Sequence, residues 1–314
     1  MIHSERVAAY KVPKVEGATS RGKYGKIFFT CLALFFLFSA SLEALENWPQ
    51  VTPSKDGTPI SYEVYGQGSE GEPVLIFVHG WSCDSRYWRA QISSFSQKYR
   101  IALVDLAGHG HSGFGRSNYT MGSFGEDVQA VVEALGAEKV VLIGHSMGGI
   151  VIAEAARLMP EKVLGLIGVD TLGDVEYPLS AEQKEGMLAP FGEDFPGACR
   201  EFVKTMFYPD TDAALQEWVL RDMAAAPPEV AMSAMENMFD LYVTGELATM
   251  FETIPLPVIV VTGDLWPPNA EANRRHMHSF DAIILEKADH FLMMYRQEEF
   301  NQALEEAIRK LSEK

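Results

Sequence analysis

Cysteine is scarce in this sequence, which argues against a metal site built from cysteines. Only three cysteines occur in 314 residues, Cys31, Cys83 and Cys199, and none has the spacing of a metal site. We expect neither a metal nor a cofactor. Cys83 and Cys199 could form a disulfide bond if this part of the chain is exported, or they could be two free thiols.

Basic residues are also few, because 26 Lys and Arg face 43 Asp and Glu and give a net charge of −17. A strongly acidic surface repels nucleic acid and anionic lipid headgroups, so we expect neither as a partner. The sequence contains no internal repeat and no low-complexity tract. Its hydrophobic content of 47% is typical of a globular chain that buries a large core.

No apolar run reaches the roughly 20 residues of a membrane-spanning helix, although one near the N-terminus approaches that length. Six basic residues lie within residues 1–26, the uncharged run 27–42 follows, and small residues stand at its end. This is the pattern of an export signal. We predict that residues 1–44 are an export signal or a membrane anchor, so that the protein is periplasmic, extracellular or anchored through residues 27–42.

Strands and helices alternate through the rest of the chain, with one long interruption. Apolar strand segments are expected at 74–78, 101–104, 140–143, 163–170, 258–262 and 282–285. Their alternation with helical segments predicts an α/β fold with a doubly wound, mostly parallel sheet. Residues 171–253 contain no convincing strand. We therefore predict a core formed by residues 45–170 and 254–314, with a helical cap at 171–253. The cap is inserted after the strand that ends at Asp170, the sixth strand of the predicted fold.

One short stretch combines an apolar strand, a sharp turn and a helix. Residues 144–149 read Gly-His-Ser-Met-Gly-Gly, between the strand segment 140–143 and the helical segment 150–158. In this context a G-x-S-x-G turn is a nucleophile elbow, which exposes a serine hydroxyl at a helix N-terminus near backbone N–H groups that can hold an oxyanion. Ser146 is therefore the candidate nucleophile.

Four motifs at characteristic spacings together resemble the α/β-hydrolase superfamily with a helical cap, over about residues 55–312. They are, in chain order, His79-Gly80-Trp81, Asp-Leu-Ala-Gly-His-Gly-His-Ser at 105–112, the elbow at 144–149, and Asp289-His290-Phe291. The resemblance implies that the backbone N–H groups of Trp81 and Met147 form an oxyanion hole and that His290 is the base. Haloalkane dehalogenases and epoxide hydrolases of this fold carry an aspartate at the elbow, so Ser146 implies acyl chemistry instead.

The resemblance leaves two main candidates for the triad acid. In most relatives the acid lies three residues after the glycine that ends the seventh strand, and Trp266 occupies that position here. Asp264 lies two residues before that position. Asp170 ends the sixth strand, where some capped relatives carry their acid. We expect Asp170 to orient His290, with Asp264 as the alternative acid, and Asp174 or no acid as a third case.

These motifs predict a serine hydrolase that cleaves carboxylic esters through an acyl-enzyme. The cap is rich in methionine and phenylalanine and has no basic cluster, which predicts a small, largely apolar ester substrate. Two alternatives stay open. The same residues could cleave a C–C bond or a lactone, or the chain could be a ligand-binding protein with a vestigial triad. The sequence specifies no oligomeric state.

Overall fold

An eight-stranded sheet crosses the part of the chain that the computed structural model describes, residues 49–312. Its spatial order is β1-β2-β4-β3-β5-β6-β7-β8. β1 and β4 each pair antiparallel with β2, and every other neighbouring pair is parallel. The strands are β1 (Gln50–Pro53), β2 (Pro59–Tyr65), β3 (Val74–Val78), β4 (Ile101–Val104), β5 (Val140–His145), β6 (Val163–Val169), β7 (Pro257–Gly263) and β8 (Ser279–Leu285).

The mostly parallel, doubly wound sheet that the sequence predicts is confirmed. Every residue of β4 and β5 is buried, and a strand buried on both faces consists of apolar residues throughout instead of alternating apolar and polar ones. Because these strands are buried on both faces, they appear in the sequence as short apolar runs. The predicted export segment, with Cys31, lies outside the described residues. Within residues 49–312, no helix is long and apolar enough to cross a membrane.

In the described part of the chain, six helices belong to the core and cover the sheet. They are α1 (Arg89–Phe95), α2 (Met121–Ala134), α3 (Met147–Leu158), α9 (Ala270–His276), α10 (Leu292–Tyr295) and α11 (Gln297–Ser312). α2 packs on α3, which contacts β3, β5 and β6, while α11 contacts α1, β6, β7 and β8.

Five helices lie between β6 and β7, at the position of the predicted cap. They are α4 (Ala181–Glu193), α5 (Phe195–Lys204), α6 (Ala213–Met223), α7 (Pro228–Thr244) and α8 (Glu246–Glu252). Polar residues begin several of them. The Ser180 hydroxyl accepts a hydrogen bond from Gln183 N at the start of α4, and Asp212 accepts one from Leu215 N at the start of α6. Such N-caps satisfy backbone donors that a helix leaves unpaired.

The loops that follow the parallel strands all leave from one edge of the sheet, because parallel strands end on the same side. The loop after β3 carries Trp81, the turn after β5 carries Ser146, and Asp170 follows β6 directly. His290 lies after β8. Four residues far apart in the sequence are thereby brought to one end of the sheet, where α/β proteins bind their ligands.

Candidate active site

Ser146 stands on a strained turn between β5 and α3. Its backbone has φ 52° and ψ −120°, a positive-φ conformation that is uncommon for a residue with a side chain. A Cβ added at Gly144 would lie 2.2 Å from the oxygen of Gly148, and one added at Gly148 would lie 2.6 Å from the oxygen of His79. Only glycine therefore allows strand, turn and helix to approach so closely.

The end of β6 holds this turn in place. Ser146 N–H donates to the oxygen of Val169 at 3.0 Å, and the hydroxyl of Thr171 donates to the oxygen of Ser146 at 2.6 Å. Strained backbone of this kind costs on the order of 1–3 kcal/mol and persists where surrounding contacts fix it. The two hydrogen bonds supply such contacts and keep the serine at the mouth of the site.

Asp170 and His290 form a buried pair. His290 Nδ1 lies 2.5 Å from Asp170 Oδ2, while Asp170 Oδ1 accepts hydrogen bonds from the Thr262 hydroxyl at 2.6 Å and from Gly263 N at 3.0 Å. Burial raises the pKa of Asp170, but the bond from His290 and the other two donors outweigh it and lower this pKa to about 2. The ionised carboxylate therefore keeps a proton on His290 Nδ1, which leaves Nε2 as the atom able to accept one.

The other acid candidates have different partners. Asp264 Oδ1 accepts from the hydroxyl of Tyr208 at 2.9 Å and from Ala288 N at 3.3 Å. Asp174 accepts from Asn269 Nδ2 at 2.8 Å. Among residues 49–312, neither Asp264 nor Asp174 hydrogen-bonds to His290, so the structure joins Asp170 alone of the three to the histidine.

The two residues expected to form the oxyanion hole flank Ser146. Met147 is the first residue of α3, so its N–H has no partner within the helix. A Cβ added at Gly80, the neighbour of Trp81, would lie 3.1 Å from Cβ of Ser146, which shows how closely the loop after β3 approaches the serine. The N–H of Met147 and the loop that carries Trp81 thus both lie close to Ser146.

His79 fixes the loop that carries Trp81. Burial lowers the pKa of His79, so its ring is neutral. Its Nδ1 donates to the oxygen of Gly80 at 2.8 Å, and its Nε2 accepts from Leu106 N–H at 3.0 Å. A ring bonded on both sides holds the backbone of Gly80 and Trp81 in a defined orientation.

A cavity of about 530 Å³ opens beside Ser146. We call it the catalytic cavity. Asp170 and Ile150 line it from the core, and the cap contributes apolar side chains, among them Met187, Met238 and Phe239. Part of the methionine and phenylalanine content of the cap therefore faces the site, whereas other members pack elsewhere.

Comparison with known proteins agrees with this geometry. A family model described as the alpha/beta hydrolase fold matches residues 73–228, from the residue before β3 to the first residue of α7. The structure of a thermophilic esterase from Thermogutta terrifontis superposes with a TM-score of 0.71 and 25% identity, covering 84% of this chain and 99% of that one. The chain belongs to the α/β-hydrolase superfamily.

Other α/β-hydrolases are similar over most of their length. The pimeloyl-(acyl-carrier protein) methyl ester esterase of Aeromonas hydrophila is 27% identical over 263 residues, which cover 79% of this chain and 99% of that protein. An esterase from Exiguobacterium antarcticum has a TM-score of 0.72 at 20% identity, covering 83% of this chain and 100% of that one.

His145 connects the turn that carries Ser146 to the segment that carries His290. Its Nε2 lies 2.9 Å from the backbone oxygen of His290, and the two ring centroids are 4.6 Å apart. Burial and the nearby His290 ring lower the pKa of His145 to about 3. The neutral ring therefore donates from Nε2 to that oxygen. Its position next to Ser146 was the one sequence signal for this contact.

The cap also holds the segment that carries His290, which the sequence did not predict. His290 N–H donates to the oxygen of Met206 at 3.2 Å. Asp289 accepts from the hydroxyl of Thr211 at 2.5 Å and from Tyr208 N at 3.3 Å. Since Asp264 binds the Tyr208 hydroxyl, the alternative acid candidate takes part in this contact. We call residues 206–211 the cap clamp.

Cys83 and Cys199 are both buried and form no disulfide bond. Burial raises the pKa of the Cys83 thiol, so it is protonated at neutral pH. Of the two cases that the sequence left open, the structure has two free thiols. Among the described residues, no group of three or more His, Cys, Asp or Glu side chains is arranged to hold a metal ion.

Proposed function

We propose that this α/β-hydrolase is a serine hydrolase that cleaves carboxylic esters of a small, largely apolar substrate through an acyl-enzyme. The hydrogen bond of 2.5 Å between Asp170 and His290, at a cavity lined by Asp170 and by a serine held at positive φ, carries the proposal. A serine on an elbow, a base and a group that orients the base are what acyl transfer requires. The similar esterases support a hydrolase that acts on ester bonds.

Acylation begins when Ser146 Oγ attacks the carbonyl carbon of the ester. His290 Nε2 takes the hydroxyl proton, and the carboxylate of Asp170 stabilises the imidazolium that forms. The N–H groups of Trp81 and Met147 donate to the carbonyl oxygen as it becomes negatively charged. The tetrahedral intermediate collapses when the C–O bond to the alcohol breaks and His290 gives its proton to the leaving oxygen.

Deacylation repeats these steps with water as the nucleophile. His290 Nε2 takes a proton from water, the hydroxyl oxygen attacks the acyl carbon, and the same N–H groups stabilise the second oxyanion. Collapse releases the carboxylic acid and returns the proton to Ser146. Asp170 remains ionised throughout, consistent with its lowered pKa.

The surroundings of the catalytic cavity favour an apolar substrate. Tyr177, Met187 and Trp266 are large apolar side chains that are exposed, and all three line this cavity. An exposed apolar rim is typical of a binding site. Neither Lys nor Arg occurs among the described residues that line the cavity, so an anionic substrate would find no partner charge there.

A vestigial site was an alternative because the acid is missing from its usual position. Asp170 supplies His290 with a carboxylate partner, so that departure no longer favours a ligand-binding protein. The experiment is labelling with a fluorophosphonate together with turnover of p-nitrophenyl esters. We expect labelling at Ser146, ester hydrolysis, and loss of both in Ser146→Ala.

The alternatives correspond to different outcomes of the same experiment. Strong labelling without turnover of any ester would favour cleavage of a C–C bond or a lactone. Slow labelling in a single turnover, with a negligible steady-state rate, would favour a ligand-binding protein. Absence of both labelling and hydrolysis would contradict the proposed function.

A further inference from the structure

A second apolar cavity, of about 480 Å³, lies among the cap helices. We call it the cap cavity. Its apolar lining comes from three helices: α4, α5 and α7 contribute Met187, Phe191, Ala198, Phe202, Met235 and Phe239. The reaction described above uses none of this space, although the cavity is nearly as large as the catalytic one.

Two side chains belong to both cavities. Met187 and Phe239 line the catalytic cavity and also the cap cavity, so the two spaces are neighbours across these side chains. Phe239 is only 7% exposed and is held by its surroundings, whereas Met187 is 41% exposed. Methionine is unbranched and adapts to the shape of its neighbours, so Met187 can move aside at little cost.

Aromatic side chains connect the cap cavity to the candidate oxyanion hole. The rings of Phe191 and Phe202 lie 5.7 and 6.1 Å from the Trp81 ring, centroid to centroid, in edge-on contacts. Trp81 Nε1 also donates to the oxygen of Ala231 in α7 at 2.7 Å. The aromatic lining of the cap cavity therefore contacts Trp81, the residue whose backbone N–H would bind the ester oxygen.

We propose that the cap cavity is the subsite for a linear apolar acyl chain. The carbonyl of the ester lies at Ser146, and its chain continues past Met187 and Phe239 into the cap. The inference rests on the proposed function and makes it more specific: the preferred substrates are esters of medium-chain carboxylic acids. The acyl group suits the cap cavity because it stays bound to the protein after the alcohol leaves.

Acidic residues at this cavity restrict which chemical group can stand at the far end of the acyl chain. Glu193, Asp194 and Glu201 contribute to its lining, and a carboxylate at the end of the acyl chain would meet like charges there. We therefore expect an acyl chain that ends in an apolar group. Esters of dicarboxylic acids with one free carboxylate should be poorer substrates than esters of monocarboxylic acids of equal length.

Gly186→Leu blocks the cap cavity without touching the catalytic one. Gly186 lines the cap cavity only, and a Cβ added there meets no atom within 4 Å. The position lies inside α4, where leucine is a better helix former than glycine, so folding is not endangered. Gly192→Leu is the matched control, because Gly192 lies in the same helix, has equally open space and lines neither cavity.

The test compares kcat/KM for p-nitrophenyl acetate and p-nitrophenyl decanoate. In Gly186→Leu the value for decanoate should fall at least about tenfold, since two or more methylene groups lose their buried position, while acetate changes less than about twofold. Gly192→Leu should leave both values unchanged. Equal effects of Gly186→Leu on both esters, or no effect on decanoate, would overturn the inference and leave ester hydrolysis intact.

Binding of decanol gives a readout that does not depend on turnover. Titration calorimetry should show that the unmodified chain binds decanol at least about tenfold more tightly than Gly186→Leu does. If no ester is hydrolysed, the proposed function fails while this titration still tests the cavity. Equal decanol binding would overturn the inference. The inference would also fail if the protein were a dimer that Gly186→Leu dissociates, because a second copy would then cover the cavity.

Discussion

The Nε2 atom of His145 lies 2.9 Å from the backbone oxygen of His290, so the neighbour of the proposed nucleophile holds the backbone of the proposed base. β5 ends at His145 and α3 begins after Ser146. One short turn therefore positions both the serine and, through this hydrogen bond, the histidine. We infer that His145 is a positioning residue whose loss lets the His290 ring move relative to Ser146.

Replacing His145 by phenylalanine tests this relationship. The ring shape is kept but the donor to His290 is lost, and small misplacement of a base can lower a rate by about 10²-fold. We expect kcat to fall by about that factor with KM little changed, because the groups that bind the substrate stay in place.

The matched variant is His145→Gln, whose amide can donate to the same oxygen. Partial recovery of kcat relative to His145→Phe would support a positioning role through this hydrogen bond. Equal activity of both variants and the unmodified enzyme would show that the contact has no part in the reaction.

Asp170→Asn and Asp264→Asn distinguish the two acid candidates. Asparagine at 170 can no longer hold the proton on His290 Nδ1 by charge, so kcat should fall by about 10³–10⁴-fold. Asparagine at 264 can still accept from Tyr208 and Ala288, so we expect less than about a tenfold loss. Steady-state ester hydrolysis measures both, and the reverse order of effects would make Asp264 the acid.

Prediction from sequence succeeded where a local pattern determines the outcome. The elbow could be recognised because strand, turn and helix are contiguous, and the sheet followed from apolar runs that are buried on both faces. The choice between Asp170 and Asp264 could not be made this way. Both follow neighbouring parallel strands, and only the path of the chain after β6 and β7 decides which carboxylate meets His290.

Contacts between distant segments account for what the sequence missed. The cap clamp joins Thr211 to Asp289 across 78 positions, and Trp81 reaches Ala231 across 150. The hydrophobic periodicity of a sequence carries no information about such pairs. The cap cavity likewise depends on the angles between α4, α5 and α7, whereas the sequence indicated only that these helices carry many methionine and phenylalanine side chains.

Thr211→Val should destabilise the protein through the cap clamp. Valine has nearly the shape of threonine but removes the hydroxyl that donates to the buried Asp289 at 2.5 Å. Burial already raises the pKa of Asp289, and the Thr211 hydroxyl opposes that effect. A hydrogen bond to a charged group contributes about 1.5–3 kcal/mol. Because Tyr208 N still donates to Asp289, denaturant unfolding should show a loss near the lower end of that range, about 1.5 kcal/mol.

The control for Thr211 is Thr205→Val in the same cap. Thr205 is exposed, and its hydroxyl donates only to the oxygen of Phe202 within one helical turn. Its replacement should change the free energy of unfolding by less than about 0.5 kcal/mol. Similar losses in the two variants would mean that the hydrogen bond to Asp289 adds no particular stability.

His276 gives the protein a pH-dependent contact between core and cap. Its Nδ1 lies 2.8 Å from Glu252, at the end of the last cap helix, and its Nε2 lies 2.6 Å from Glu176, just before the first. Burial lowers the pKa of His276, but the bonds to the two carboxylates exceed this effect and raise the pKa above 6.5. Arg275 also faces Glu176.

The sign of the pH dependence follows from the raised pKa. The folded state holds the proton more tightly than the unfolded chain does, so the contact contributes its full stability below pH of about 6.5. That contribution is lost as the pH rises through the folded-state pKa of His276. His276→Gln, which keeps a polar side chain but not the charge, should therefore lower the unfolding midpoint at pH 6 and have a much smaller effect at pH 9. Thermal unfolding at the two pH values measures this difference, and the same shift at both would exclude protonated His276 as its source.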